Sequence, residues 1–154
     1  MTDALTELTS RPGFMIRRAH QIAVSVFMEE AAELGVTTTQ YGLLFLLRHR
    51  PNVDQITAAR LLGLDRSTTG MVLRMLEEGG LINRVVLSAD KRRRKLELTA
   101  AGRQVLRDLE TPAGRAVERL LSPLAPDERP VFLRLLGKLT GALNETARVP
   151  LMDP

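Results

Sequence analysis

The stretch LSADKRRRKLELT, residues 87–99, places five basic residues in succession, Lys91 to Lys95, directly after Asp90. Cations at this density suit one task above others, the neutralisation of a polyanion. A second set lies upstream: Arg66, Ser67, Thr68, Thr69, Gly70, Met71 and Arg74. It mixes guanidinium groups, hydroxyls, a residue without a side chain and an apolar thioether. That mix suits the edges of base pairs: Arg and hydroxyls for hydrogen bonds, a small residue for close approach, an apolar atom for thymine methyls. A third set, Arg17, His20, Phe27, Tyr41, Phe45 and His49, offers cations and aromatic faces that could hold a small anionic aromatic molecule, the other reading being that Phe27 and Phe45 are plain core and His20 and His49 structural histidines.

Other chemistries lack material. The 154-residue chain has no cysteine, which excludes disulfides, thiolate nucleophiles and thiol-ligated zinc. Two histidines, His20 and His49, leave little for a metal site or a catalytic triad, and no paired carboxylates stand at a catalytic spacing. The expectation is a protein that is not an enzyme and needs no cofactor or metal. No apolar run is long enough to span a membrane, and the N-terminus carries Asp3 and Glu7 where a signal peptide would be apolar. A cytoplasmic address follows as the expectation. The net charge of +4 is unevenly spread: residues 81–103 hold seven basic and two acidic side chains, and the other 131 hold 15 and 16. The positive excess sits in one short stretch.

The elements that must position these residues can be read from periodicity and punctuation. Residues 14–34 carry apolar positions on a helical period, with Gly35 as a stop. Thr37 and Gln40 match a capping box opening a helix that Pro51 ends. Asp54 can cap QITAARLLG, closed by Gly63, and Asp65 or Ser67 opens the next helix, which runs to Gly79-Gly80. Two short helices joined by GLD have the spacing of a helix-turn-helix. On the second, Val72, Met75 and Leu76 form the expected core stripe, opposite Arg66, Ser67, Gly70, Met71 and Arg74.

LINRVV (81–86) and KLEL (95–98) then read as short strands, with Ser88-Ala89-Asp90 as turn residues. The basic run falls at the tip and returning strand of this hairpin. Arg92, Arg93, Arg94 and Lys95 are candidates for phosphates or a minor groove, and alternation keeps them from all pointing one way. Thr99 opens a long helix over about 100–121, in which Pro112 is expected to kink or break the chain near Thr111. APDE (125–128) starts the last helix, with Pro126 in its first turn and Pro130 costing a backbone bond, and RVPLMDP is expected to fray. The first helix and the last two carry apolar stripes that a small winged domain cannot cover, so a dimer is the expected state.

These residues resemble the MarR family of bacterial transcriptional regulators. The matching pieces are TTTQYGLLFLL, ARLLGLDRSTTGMVLRMLEEGGLINR and DKRRRKLELTAAGR. The last carries the family's D-x-R wing followed by L-T-x-x-G. The resemblance covers about residues 12–146. It implies a mainly α fold with a small β-hairpin wing, a winged helix-turn-helix core at about 37–99, and dimerisation helices at about 12–35 and 100–147. It also implies a homodimer on pseudo-palindromic double-stranded DNA, which a small phenolic or aromatic acid releases. Arg92 becomes the minor-groove reader, with Asp90 bracing it or a neighbouring arginine. One departure stands out: where many members read T-V-T-R, this chain has Thr68-Thr69-Gly70-Met71, which shortens the groove-facing surface and removes a basic contact. The alternative reading is a winged-helix interaction module, or a non-specific nucleic-acid binder without an effector.

Overall fold

The computed structural model describes residues 3–87 and 90–152, with side chains throughout except at 87 and 90–93. Its elements run α1 (Ala4–Thr9), α2 (Pro12–Glu30), a 3₁₀ turn (Ala32–Leu34), α3 (Thr38–His49), α4 (Gln55–Leu62), α5 (Arg66–Glu78), β1 (Ile82–Leu87), β2 (Asp90–Leu98), α6 (Ala100–Leu121), α7 (Glu128–Ala142) and a closing 3₁₀ turn (Asn144–Thr146). The fold is mainly helical with an antiparallel two-strand hairpin as its wing.

Local side-chain chemistry sets most boundaries. Thr37 Oγ1 accepts from the Gln40 N–H at 3.2 Å, and Gln40 Oε1 accepts from the Thr37 N–H at 2.9 Å, the reciprocal cap that opens α3. Asp54 and Asp65 each accept from a backbone N–H three residues on, at 2.8 Å, and open α4 and α5. Gly63 ends α4 at φ 62°, left-handed backbone that a side chain would strain. α3 is the axis of the core. Its Leu43, Leu44 and Leu47 pack with Ala58, Leu73 and Leu76 of the helix-turn-helix, Ile82 and Leu96 of the hairpin, and Leu106 and Leu109 of α6.

The L-T-x-x-G segment owes its residue types to this packing. The Thr99 hydroxyl donates to the Gly80 carbonyl at 2.7 Å and accepts from the Gly102 N–H at 3.0 Å. The Thr99 N–H reaches the Leu81 carbonyl at 3.0 Å. A Cβ on Gly102 would collide with that same Leu81 carbonyl oxygen. Thr99 and Gly102 therefore seat α6 against the start of the wing.

Five features differ from the sequence reading. α1 was not anticipated. β2 begins at Asp90 rather than 95, so the basic run lies within a strand. Pairing proceeds from Ile82 opposite Leu98 to Val86 opposite Arg94, then shifts so that Leu87 faces Asp90 and residues 91–93 fall between the two pairings. Pro112 does not break α6, which continues from Ala100 to Leu121. Buried Leu109 and Ala116 hold the helix against its neighbours on both sides of the proline, and Arg115 and Arg119 tie it to Glu30 of α2 at 2.8 and 3.3 Å. These contacts outweigh one missing backbone bond.

α7 starts at Glu128, so Pro126 precedes it, and Pro130 sits in the first turn, where the absent N–H has no intrahelical acceptor to lose. Finally, the C-terminal segment is tied down rather than frayed. Asn144 Oδ1 accepts from the Leu151 N–H at 2.8 Å and its Nδ2 donates to the Leu151 carbonyl at 3.0 Å. The Met152 N–H donates to the Arg60 carbonyl of α4 at 3.0 Å. The segment thus docks on the helix-turn-helix, with Leu151 against Gly63.

Candidate nucleic-acid interface and adjoining cavity

α4, the Gly63 turn and α5 hold the second candidate set. Along α5 the buried arc runs through Thr69, Val72, Leu73 and Leu76. Arg66, Ser67, Met71 and Arg74 are exposed together on the opposite side, with Gly70 and Thr68 half-buried at its flanks. The helix presents hydroxyl, guanidinium and apolar groups on one outward face, as a groove-reading helix requires.

Two assignments on this helix are corrected. Thr69, a candidate contact, is fully buried, and its hydroxyl donates to the Asp65 carbonyl at 2.8 Å. It serves the helix start and faces the core. Met75, expected in the core, is 50 % exposed; Leu73 takes its place, because the buried arc centres nearer Leu73 than a count from Val72 suggests. The Thr68 hydroxyl is also committed, donating to Asp65 Oδ2 at 2.7 Å. The Thr68 N–H and then its hydroxyl hold the Asp65 carboxyl below its ordinary range, with a smaller contribution from the positive charge of Arg148.

The wing flanks this face. Arg84 on β1 pairs with Glu77 of α5 at 3.0 Å and ties the hairpin to the helix. On the far edge of β2, the Leu96 N–H donates to the Val53 carbonyl at 2.9 Å, and the backbone at Lys95 stands opposite that of Asp54 as an isolated antiparallel pairing. Arg94 is exposed and Lys95 half-exposed, and strand alternation sends them to opposite faces. Asp90, Arg92 and Arg93 lie on the backbone of β2, and their side chains fall outside the described residues.

The third set is only partly assembled. A cavity of about 340 Å³ opens between α2, α3 and α6. His20, Ala23, Val24 and Phe27 line it from α2, Thr38 and Tyr41 from α3, and Ala113, Ala116, Val117 and Leu120 from α6. Of the six candidates, His20, Phe27 and Tyr41 line it. Arg17 instead lies over the Phe14 ring, 5.0 Å from its centroid. Phe45 and His49 continue the aromatic row along α3, with centroids 5.9 Å from Tyr41 to Phe45 and 4.5 Å from Phe45 to His49. They lead away from the cavity because an i, i+4 spacing climbs the helix.

The α6 wall escaped the sequence reading. Its only trace is the run of small residues, Ala113 and Ala116 opposite Ala23, which leaves room between helices. Among the described residues no group of side chains is arranged to hold a metal ion, and no helix is long and apolar enough to cross a membrane.

Known proteins share this arrangement. The MarR family model matches residues 36–93, from the cap of α3 into the wing. The PcaV transcriptional regulator from Streptomyces coelicolor, solved with its natural ligand, is 36 % identical with a TM-score of 0.80, over 88 % of this chain and 95 % of that one. The transcriptional repressor CouR, bound to a 23-mer DNA duplex, is 29 % identical with a TM-score of 0.82, over 91 % of this chain and 99 % of that one. A MarR family protein of Mycobacterium tuberculosis in complex with salicylic acid is 25 % identical with a TM-score of 0.67, over 84 % and 96 %. Fold, helix-turn-helix, wing and these likenesses agree, and the chain belongs to the MarR family of DNA-binding, non-enzymatic transcriptional regulators.

Proposed function

We propose that this chain is a homodimeric repressor of the cytoplasm that binds a pseudo-palindromic operator and leaves it when a small aromatic or phenolic acid enters the cavity. The carrying observation is where the cavity lies. Its walls are α2 and α6, which pack on each other, and α3, which packs on α5. A molecule seated there bears on the joint between the packed helices and the DNA-reading lobe. Differential binding to two spacings of the lobes then shifts the population off DNA, whose half-sites demand recognition helices about 34 Å apart.

Dimerisation has its own support. α7 exposes Val131, Phe132, Leu133, Leu135, Leu136 and Leu139, and α1 exposes Leu5 and Leu8. That much apolar side chain on the two terminal helices calls for a cover, and a second copy supplies it symmetrically. In the DNA-bound dimer, Arg66, Ser67, Gly70, Met71 and Arg74 enter the major groove. Arg92, Arg93, Arg94 and Lys95 serve the wing, with Asp90 bracing an arginine.

The test uses salicylate as probe. Wild-type protein is bound to a duplex selected from a random pool, and salicylate is titrated in while anisotropy is read. Release by salicylate, abolished in an Ala113→Phe variant that still binds DNA, supports the reading. Failure of salicylate and of phenolic acids of similar size to bind or to release DNA removes the effector half and leaves a constitutive binder.

A further inference from the structure

Gly70 is the residue of the recognition helix that chain geometry does not require. Its backbone is ordinary right-handed helix, where alanine is the better helix former. Its neighbours on the exposed face, Arg66 and Ser67 one turn before and Met71 and Arg74 after, are all larger. The reason for the glycine lies on another helix. Gln55, the first residue of α4, sends its carboxamide across so that Nε2 stands 3.2 Å from where a Gly70 Cβ would be. The amide of Gln55 occupies the place that a side chain at position 70 would fill.

We propose that Gln55 is a specificity-determining DNA contact, a base reader delivered from α4 through the gap at Gly70. Gln55 is half-exposed and its carboxamide engages in no side-chain hydrogen bond among the described residues, so donor and acceptor are both available. A carboxamide pairs two-point with N6 and N7 of adenine, a match no neighbouring side chain on α5 offers. Arginines 66 and 74 flank the same face and suit guanine or phosphate. The groove-facing surface that the Thr68-Thr69-Gly70-Met71 sequence shortens is thereby restored by a residue 15 positions upstream. This inference rests on operator binding through α5, as proposed above.

The test compares Gln55→Ala, Gly70→Ala and the double variant on a duplex selected with wild-type protein from a random pool, beside a scrambled duplex. Gln55→Ala is expected to weaken binding to the selected duplex about tenfold and to leave the scrambled duplex unchanged. Gly70→Ala is expected to do the same while raising the melting temperature, because the new Cβ displaces only the end of a flexible side chain. The double variant should bind no worse than either single one. Unchanged affinity in Gln55→Ala, or an equal loss on both duplexes, overturns base reading by Gln55. A pool that yields no preferred duplex removes this inference together with operator binding. A preferred duplex that Gln55→Ala still binds as tightly removes this inference alone.

Discussion

At the residue scale, two positions let physical sign decide between readings. Gly102 lies in the first turn of α6, where alanine would ordinarily help. The Leu81 carbonyl leaves no room for a Cβ, so Gly102→Ala should destabilise the fold by about 1–3 kcal/mol. A denaturant midpoint that stays level or rises would refute the close approach. Asp65 is the second. Its carboxyl is held below the ordinary value by Thr68 and, more weakly, by Arg148. A lowered folded-state pKa contributes stability that is present above the unfolded value and is lost as pH falls through the folded one. Melting temperature should therefore drop more steeply below about pH 4 in wild type than in Asp65→Asn, whose cap carries no charge. Parallel curves would remove the role of the charge. Arg92→Ala should weaken operator binding about tenfold with melting unchanged, and unaltered affinity would strip Arg92 of the minor groove.

At the element scale, what was legible in the sequence was what adjacent residues decide among themselves. The caps of α3, α4 and α6 are three-residue hydrogen-bond motifs, so Thr37, Asp54 and Thr99 announced them. Gly35 and Gly63 announced their turns for the same reason. What distance along the chain decides was hidden. Pro112 looked disruptive because its support comes from α2, more than 80 residues away. Thr69 looked available because only the fold shows which arc of α5 is covered. The cavity was half-seen: His20, Phe27 and Tyr41 stand out by type, whereas Ala113 and Ala116 contribute by being small. The docked C-terminus was invisible because it depends on an Asn–backbone pairing across seven residues and on a carbonyl in α4. Asn144→Ala should free that segment and lower the melting temperature by a few degrees, with the molar mass by light scattering equal to that of wild type. An unchanged melting temperature would show the segment to be idle.

At the scale of the whole molecule, charge, shape and cavity converge on one device. The positive excess is confined to residues 81–103, the outward face of α5 sits beside that wing, and the cavity lies where the lobe meets the helices that carry it. In the proposed dimer, a second copy covers the exposed apolar face of α7 and sets two reading heads at a fixed spacing. The most direct test is anisotropy of a labelled inverted-repeat duplex, selected with the wild-type protein, against its scrambled counterpart across a salt series. If the dimer neutralises about 6–10 phosphates, affinity for the selected duplex should fall on the order of 10³–10⁵-fold from about 50 to 200 mM salt, and should exceed affinity for the scrambled duplex at every point. A flat salt response with equal binding of both duplexes would contradict it.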